Sequence, residues 1–286
     1  MMLAAKNPHP RDERIRFVED THTYYIDGSS TGYLSCTTFI HKAFGTFDAD
    51  KIITRMMQSP KFAIGDYAGM TRKEIKAKWD KNRDEAAAAG TKMHLNLELF
   101  YNDGPHTEEG KEWELFCKFR DAFPDLKAYR TEMVVFAEDV KIAGSIDMVY
   151  HDPDEPGSFI ICDWKRSKEI KRSNRFQKGC SAHTRDLDDC NLIHYSLQLN
   201  LYKWILQNYY QMKITSVFLC VLHPNQDEYL KIDGLDLYDR IEALMRDRRT
   251  KVQRAAPAAA PPIAKKPRIV VEKQSDDKEN VPPGNV

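Results

Sequence analysis

The sequence lacks a net charge, because its 286 residues include 43 basic and 43 acidic side chains. A protein that attracts polyanions over its whole surface carries a basic excess, so a site for such a partner must come from a local patch. Long apolar runs are also missing, and the longest strongly apolar stretch spans only 217–222. A membrane-spanning helix needs about 20 apolar residues in a row. We therefore expect no contact with a membrane.

Closely spaced cysteines are absent as well. The six cysteines are scattered through the chain, without a C-x-x-C pair. The first 14 residues contain no apolar core of a signal peptide, and Asp12 and Glu13 argue against a transit peptide. Together these features predict reduced thiols in an intracellular protein.

The stretch 142–168 carries the strongest local signal. Residues 142–150 are apolar and β-branched enough for a strand, and 151–158 are rich in Asp, Pro and Gly, which predicts a turn. Residues 159–165 are apolar on both faces. That pattern is typical of a central strand in a sheet covered on both sides.

Two carboxylates and an ammonium are expected to converge in these strands. Side chains alternate along a strand, so Asp163 and Lys165 share one face while Trp164 points away. Asp147, in the neighbouring strand, could meet Asp163 across the ladder. Two buried carboxylates repel each other unless a cation lies between them, and Mg²⁺ is a usual one. The alternative is a purely structural ion pair between Asp163 and Lys165.

Three flanking elements could supply further groups. The segment 85–100 is a predicted helix on which His94 and Glu98 share a face, although His94 could instead be a residue of the core. The segment 131–137 is a predicted strand with Glu132 at its start. The segment 192–209 is a predicted helix that turns Gln198 and Tyr202 towards the same place.

The remaining elements are predicted from periodicity, capping residues and turn residues. We expect a strand over 15–26 and a helix starting near Thr38, with Ser35, Thr37 and Thr38 as candidate caps. Further helices are predicted over 49–58 (capped by Asp48), 71–84, 107–123 and 236–249, and strands over 214–223 and 229–232. The helix over 71–84 is strongly basic, so it either faces solvent or faces DNA.

A basic segment follows Lys165. Its positive side chains are Arg166, Lys168, Lys171, Arg172, Arg175 and Lys178, followed by Arg185. Interspersed Ser, Asn and Gly predict a loop, and a basic loop beside carboxylates suits a phosphate backbone. The alternative is that these charges serve solubility alone.

The composition changes at residue 253. The segment 253–286 is rich in Ala, Pro and charge without periodicity, so we predict a disordered tail. Within it, Lys265-Lys-Pro-Arg268 resembles a short nuclear-localisation signal. The rest forms one predicted domain over 1–252, with an N-terminal part at 13–84, a catalytic core at 85–232 and a C-terminal helix at 236–249.

Four motifs stand in a fixed order along the chain: Gly90-Thr-Lys-Met-His94, Gly144-Ser-Ile-Asp147, Asp163-Trp-Lys165 and Gln198-Leu-Asn-Leu-Tyr202. This order resembles the PD-(D/E)xK nuclease superfamily, and within it the RecB-like exonucleases, although His94 is one residue further from its glycine than in some relatives. The segments 22–28 and 35–37 look like the N-terminal part of phage and mitochondrial single-strand exonucleases of that group. The resemblance covers roughly residues 15–232.

The resemblance implies an α/β fold with a restriction-endonuclease-like core, in which helices flank a central mixed sheet. The implied catalytic residues are Lys165, Asp163, Asp147, Glu132, Gln198 and Tyr202. The implied ligands of Mg²⁺ or Mn²⁺ are His94, Asp147, Asp163 and the carbonyl of Trp164. Ser35, Thr37 and the basic loop would contact DNA. Several relatives hold an iron–sulfur cluster through three cysteines after the last helix motif, but only Cys220 follows Tyr202 here, so we expect no cluster.

We therefore expect a metal-dependent DNA nuclease, most simply an exonuclease that acts on single-stranded or duplex DNA ends in replication, repair or recombination. The expected partners are DNA and proteins of those processes. A structure-specific endonuclease of the same superfamily is the first alternative. A DNA-binding module that has lost catalysis is the second, although the presence of every motif residue argues against it.

Overall fold

The computed structural model describes residues 2–255, which form a mixed α/β structure. A six-stranded mixed sheet is flanked by helices on both faces, and a separate two-stranded hairpin packs beside it. The tail after Ala255, including Lys265–Arg268, lies outside the described residues. Within 2–255, the helices are too short or too polar to cross a membrane.

The strands are β1 (Ile15–Val18), β2 (Thr23–Ile26), β3 (Leu34–Ser35), β4 (Ala128–Ala137), β5 (Ile142–His151), β6 (Ser158–Lys165), β7 (Lys213–Val221) and β8 (Leu230–Asp233). The helices are α1 (Leu3–Lys6), α2 (Cys36–His41), α3 (Ala49–Met57), α4 (Arg72–Tyr101), α5 (Lys111–Ala122), α6 (Asn191–Tyr209) and α7 (Tyr238–Ala255). Short 3-10 turns add Asp12–Arg14 and Pro60–Ile64.

The sheet is centred on β5 and β6. β6 lies between antiparallel β5 and parallel β7, and β8 closes one edge beside β7. β4 pairs antiparallel with β5 along nearly its whole length, while β3 adds a short parallel pair. The expected central position of the strand that carries Asp163 is therefore confirmed.

Alternation along the strands gives the sheet two covered faces. On one face, α6 and α7 pack on side chains such as Ile146, Ile161 and Leu219. On the other, α5 buries Trp113, Phe116 and Phe119 against a layer that includes Trp164. All of the following are fully buried in these two layers: Met133, Ile146, Cys162, Leu197, Leu201 and Cys220.

Three sequence expectations for the helices need correction. The predicted helices 71–84 and 85–100 are one helix, α4, because residues 84–92 contain no proline and four consecutive alanines, which favour helix. α5 begins at Lys111 rather than near 107, after Gly110 in a left-handed conformation. α7 runs to Ala255, so the predicted boundaries at 249 and 252 are too early.

The N-terminal part also differs from expectation. The segment 15–26 is not one strand but the hairpin β1–β2, and the turn between its strands includes His22 with positive φ. α2 starts at Cys36, two residues before the expected point, because the Ser35 side chain accepts a hydrogen bond from the Thr38 N–H. The expected cap of α3 is confirmed, since Asp48 accepts from the Lys51 N–H.

Candidate functional site

The candidate site lies where β5 changes its neighbour. β4 occupies one edge of β5, so β3 and β6 must share the other edge. The ladder with β3 ends at Ala143, and the ladder with β6 begins only at Met148. Between them, the Asp147 carboxylate takes the role of a ladder acceptor, because its Oδ2 accepts a hydrogen bond from the Trp164 N–H at 2.8 Å. The sheet therefore splits at the candidate carboxylates.

Gly144 lets two side chains approach this split. A Cβ at Gly144 would lie 2.8 Å from Cε1 of Tyr202 and 2.9 Å from Sγ of Cys36. Both distances are shorter than real Cβ contacts, so only glycine allows α6 and α2 to pack here. Gly90, by contrast, has no atom within 4 Å of the equivalent position. The two motif glycines therefore differ: packing requires glycine at Gly144, whereas Gly90 has room for a side chain.

Three side chains from three elements converge beside the split. His94 of α4, Glu132 of β4 and Asp147 of β5 offer ligand atoms that all lie within 4.8 Å of one another, and this group could hold a metal ion. The Nδ1 atom of His94 is 3.6 Å from Oδ2 of Asp147 and 3.9 Å from Oε1 of Glu132. The other ring nitrogen, Nε2, lies 3.0 Å from the carbonyl oxygen of Trp164. That carbonyl therefore lies beside His94, and its role as a metal ligand stays a prediction.

Glu132 has an unusual backbone. It was expected at the start of a strand, but it lies in the middle of β4 with φ of 45°, in the left-handed region. Non-glycine residues rarely adopt this conformation, and such strain is often found at functional sites. The Ser145 hydroxyl donates to Oε2 of Glu132 at 2.7 Å and holds the side chain in place. The distortion thus belongs to a residue of the converging group.

A second cluster is adjacent and includes Asp163 and Lys165. As expected from strand alternation, these two side chains share a face and form an ion pair that is largely buried. Nε2 of Gln198 donates to Oδ1 of Asp163 at 3.3 Å and lies 3.4 Å from the Tyr202 hydroxyl. The Lys165 ammonium also lies 5.0 Å from the ring centre of Tyr195. α6 therefore turns one face towards the carboxylates.

The electrostatics of the two clusters favour a cation. Burial alone would lower the pKa of His94, but the carboxylates of Asp147 and Glu132 outweigh it and raise that pKa to about 9. A histidine binds a metal ion through a neutral ring, so a bound ion would displace this proton. Burial raises the pKa of Asp147 and of Asp163, because a carboxylate is costly to bury. For Lys165, the two carboxylates outweigh burial and raise the pKa.

An open cavity of about 460 Å³ gives access to the converging group. His94 and Glu132 line it, together with Glu98 of α4 and Glu19 from the turn of the β1–β2 hairpin. Burial raises the pKa of Glu98, and the nearby charges of Glu132 and Glu19 raise it further. Carboxylates of the cavity thus surround the converging group, and the donor set of that group, one imidazole and two carboxylates, suits Mg²⁺ or Mn²⁺.

The expected site residues are not all in one group. Asp163 lies beside Lys165 and Gln198 rather than among the converging ligand atoms, and Glu132, expected only to assist, takes its place there. Asp163 as a direct metal ligand stays a prediction, as do the catalytic roles of Lys165, Gln198 and Tyr202.

Some of the residues expected to contact DNA are exposed and without a described side-chain partner in the fold, whereas others form ion pairs or cap a helix. Lys168, Lys171, Arg172, Arg175 and Lys178 of the loop are exposed. Arg166 is paired with Glu112, and Lys178 is paired with Asp188, so both side chains also have structural partners. Ser35 caps α2, whereas Thr37 is exposed on it. Their contacts with DNA stay predictions.

Sequence reasoning missed two residues near these clusters. Tyr195 precedes Gln198 by three positions on α6, so helical spacing could have indicated it. Glu19 lies in the turn of a hairpin that was expected to be a single strand, and no sequence signal places it in the cavity.

Comparisons with known proteins give little more. No family model and no curated protein matches the chain. Among solved structures, the chain is similar to the crystal structure of SSO0001, an archaeal protein, with 13% sequence identity and a TM-score of 0.31 over 79% of this chain and 78% of that one. A similarity of that size carries no argument about function, which therefore depends on the residues of the site.

Proposed function

We propose that this protein is a metal-dependent DNA nuclease with a PD-(D/E)xK core, and that it acts as an exonuclease on DNA ends. The observation that carries the proposal is the pair of adjacent clusters at the split in the sheet. One is the converging group of His94, Glu132 and Asp147, and the other is the buried pair of Asp163 and Lys165. A structural ion pair alone does not account for the acidic group beside it.

The converging group supplies the metal site in this proposal. His94, Glu132 and Asp147 would hold Mg²⁺ or Mn²⁺, and the Trp164 carbonyl oxygen lies 3.0 Å from Nε2 of His94. When bound, such an ion polarises a phosphoryl oxygen and lowers the pKa of a water molecule. Ser145 keeps Glu132 oriented, and the Trp164 N–H keeps Asp147 oriented. The ligands are thus fixed before an ion arrives.

The protein's own groups then act on the phosphate. Lys165 keeps a charged ammonium beside Asp163, where it can offset negative charge that develops on the phosphoryl oxygens. Gln198 donates a hydrogen bond to Oδ1 of Asp163, while Lys165 contacts Oδ2. These two contacts would keep the Asp163 carboxylate oriented beside the converging group. The exposed side chains Lys168, Lys171, Arg172 and Arg175 would bind the phosphates of the strand beyond the cut.

The test is cleavage of end-labelled linear DNA by purified protein, with and without Mg²⁺ or Mn²⁺. Lys165→Ala should reduce the cleavage rate by about 10²–10³ or more while DNA binding persists, because its ammonium serves the reaction. Lys213→Ala is the matched control, since Lys213 is an exposed residue at the opposite end of the neighbouring strand. A rate for Lys165→Ala within a few-fold of wild type contradicts the proposal.

Substrate topology separates the two kinds of nuclease. An exonuclease needs an end, so a covalently closed single-stranded circle should stay intact while the linear form of the same sequence is degraded. Metal-dependent cutting of the circle would favour the structure-specific endonuclease instead. Metal-independent binding without cleavage of either substrate would favour the binding module.

A further inference from the structure

A second cavity, of about 650 Å³, opens beside the basic loop. α2 and the chain after it form one wall, and the loop and the first turn of α6 form the other. Rings supply much of its lining: Phe44, Phe47, His41 and His194. The cavity and the metal-binding group lie on different elements, so the role proposed above does not explain it.

The cavity is next to the candidate catalytic cluster. His194 precedes Gln198 by four residues on α6, so both side chains lie on one face of the helix. Their separation along the axis is about 6 Å. Gln198 contacts Asp163, whereas His194 lines the cavity. A strand whose phosphate lies at Asp163 and Lys165 can therefore place a neighbouring base in the cavity.

Two exposed phenylalanines lie on the segments that line the cavity. Phe47 lines the cavity with 73% of its surface exposed, and Phe176 is 94% exposed directly before Gln177, another lining residue. The turn that carries Phe176 is held firmly, because Asn174 Oδ1 accepts hydrogen bonds from the N–H groups of Phe176 and Gln177. The ring centre of Phe47 lies 6.0 Å from that of Trp79, but most of the Phe47 side chain is exposed, and exposed ring surface gains no free energy from burial in the fold. These two rings are therefore available to a partner.

The floor of the cavity suits a flat, polar-edged ring. Phe44 and His194 have ring centres 4.1 Å apart, and Asp189 Oδ1 lies 2.9 Å from Nε2 of His194. Thr38 and Gln177 add polar groups to the walls. A nucleobase offers a π-face for the rings and hydrogen-bonding edges for the polar groups.

The charges around the opening favour a phosphate backbone. Lys42 lines the cavity, and Arg175 is exposed directly before Phe176. Two acidic groups also lie on this side: Asp189 is beside His194, and Asp48 accepts a hydrogen bond from the Lys51 N–H. Exposed aromatic rings alternating with basic residues are typical of single-strand binding surfaces.

We propose that this cavity is a base-binding subsite for single-stranded DNA, in which Phe47 and Phe176 stack on unpaired bases next to the phosphate at Asp163 and Lys165. The inference rests on the proposed nuclease function and deepens it, because a duplex keeps its bases stacked on one another and cannot offer them to the rings. The preferred substrate is then a single strand or a frayed end.

Equilibrium binding of a fluorescent single-stranded oligonucleotide tests the subsite. The measurement uses the Lys165→Ala protein in Mg²⁺, so that the substrate stays intact. Phe47→Ala and Phe176→Ala should each weaken binding by about 5- to 150-fold, the range for loss of one base–aromatic stack. Phe47→Trp and Phe176→Trp should keep the affinity. Leu230→Ala, which removes a partly exposed apolar side chain from β8, is the control and should bind like the parent.

Two further arms make the test specific. Binding of a blunt duplex should change less than twofold in the alanine variants, because paired bases do not stack on the rings. An oligonucleotide with one abasic position, scanned along the strand, should lose affinity at the two stacked positions in the parent and at only one of them in Phe47→Ala. Equal weakening for single strands and duplexes, or no weakening at all, overturns the subsite.

The outcomes also separate the subsite from the nuclease function. If wild type cleaves linear DNA with metal while both alanine variants bind a single strand like the parent, only the subsite is wrong. If wild type neither binds nor cleaves DNA, both proposals are wrong. Circular dichroism of each variant checks the fold, which the exposure of both rings should leave unchanged.

Discussion

At the scale of single residues, the site combines a strained position with a crowded one. Glu132 has a left-handed backbone inside a strand, and its side chain joins the converging ligand atoms. Gly144 has no side chain because Tyr202 and Cys36 occupy the space. The first feature concerns chemistry and the second concerns packing, so substitutions at the two places should have separable effects.

Replacement of His94 tests the metal group directly. His94→Ala should weaken Mn²⁺ binding by tenfold or more, because it removes one of three converging ligands, and Asp147→Asn should do the same. The double variant should add little to either single change, since residues that act as a unit are not additive. Isothermal titration of Mn²⁺ measures all three.

The control for this titration is His151→Ala, which removes an exposed histidine at the far end of β5 and should leave Mn²⁺ affinity unchanged. Wild-type affinity in His94→Ala would take His94 out of the metal site. A large fall in melting temperature without a change in affinity would instead identify His94 as a core residue.

The two motif glycines should respond to alanine with opposite signs. Gly144→Ala should lower the free energy of unfolding by about 1–3 kcal/mol, because the new methyl group overlaps Tyr202 and Cys36. Gly90→Ala should raise it by up to about 1 kcal/mol, since the position is helical and open. Urea unfolding measures both values.

A double variant identifies the cause of the Gly144 effect. Cys36→Ala removes the sulfur atom 2.9 Å from the added Cβ, so Gly144→Ala should cost less in a Cys36→Ala background than in wild type. Strict additivity of the two changes would mean that the close approach to Cys36 is not what requires glycine.

At the scale of elements, the sequence predicts strands better than helix boundaries. Runs of apolar and β-branched residues gave β5, β6 and β7 nearly in full, because burial on two faces leaves a clear pattern. The basic half of α4 has only Ile75 buried before Met93. With so little apolar periodicity there, burial gave no sign that it continues into the helix of His94, and only the proline-free, alanine-rich segment 84–92 indicated it.

The local pattern also could not show which carboxylates converge. Strand alternation correctly put Asp163 and Lys165 on one face. The position of Glu132 depends on a distorted backbone, and that of Asp147 depends on where β3 ends and β6 begins. Both are properties of the assembled sheet, so sequence reasoning found the residues but not their grouping.

The exposed half of α4 should depend on its cap. Thr71 and Glu74 form a capping box at the start of the helix. Thr71→Ala should cost about 1 kcal/mol locally, and hydrogen exchange should speed up over 72–85 while 93–101 stays protected, because that part is packed against the core. Glu85→Gln, a change in the exposed middle of the helix, is the control. Equal loss of protection along all of α4 would contradict this expectation.

At the scale of the whole molecule, α7 packs the C-terminal end of the described chain against the rest of the fold. Ile241, Leu244 and Met245 are buried, and the helix packs on α6. Arg248 donates to the carbonyl oxygens of Val140 and Gly32, which links the C-terminal helix to the start of β5 and to the N-terminal part. The N-terminal part, the sheet and the last helix are therefore packed into one unit.

Two truncations test this organisation. A chain that ends at Ala255 should melt at the same temperature as the full chain and keep the DNA cleavage proposed above, because it keeps every contact described above. A chain that ends at 237 should fail to fold cooperatively, since loss of three buried side chains costs about 1.5–3 kcal/mol for each. Thermal melts followed by circular dichroism compare the two. If the chain that ends at Ala255 misfolded, residues after Ala255 would belong to the folded unit.

The split in the sheet has a consequence for protein synthesis. The groups around it come from α4, β4, β5, β6 and α6, in that order along the chain. A ribosome makes them one after another, and Gln198 and Tyr202 emerge last. A nascent or prematurely terminated chain that stops before α6 therefore lacks the residues that brace Asp163 and fill the space at Gly144. If the protein is a nuclease, unfinished copies of it should cut DNA less readily than the complete chain.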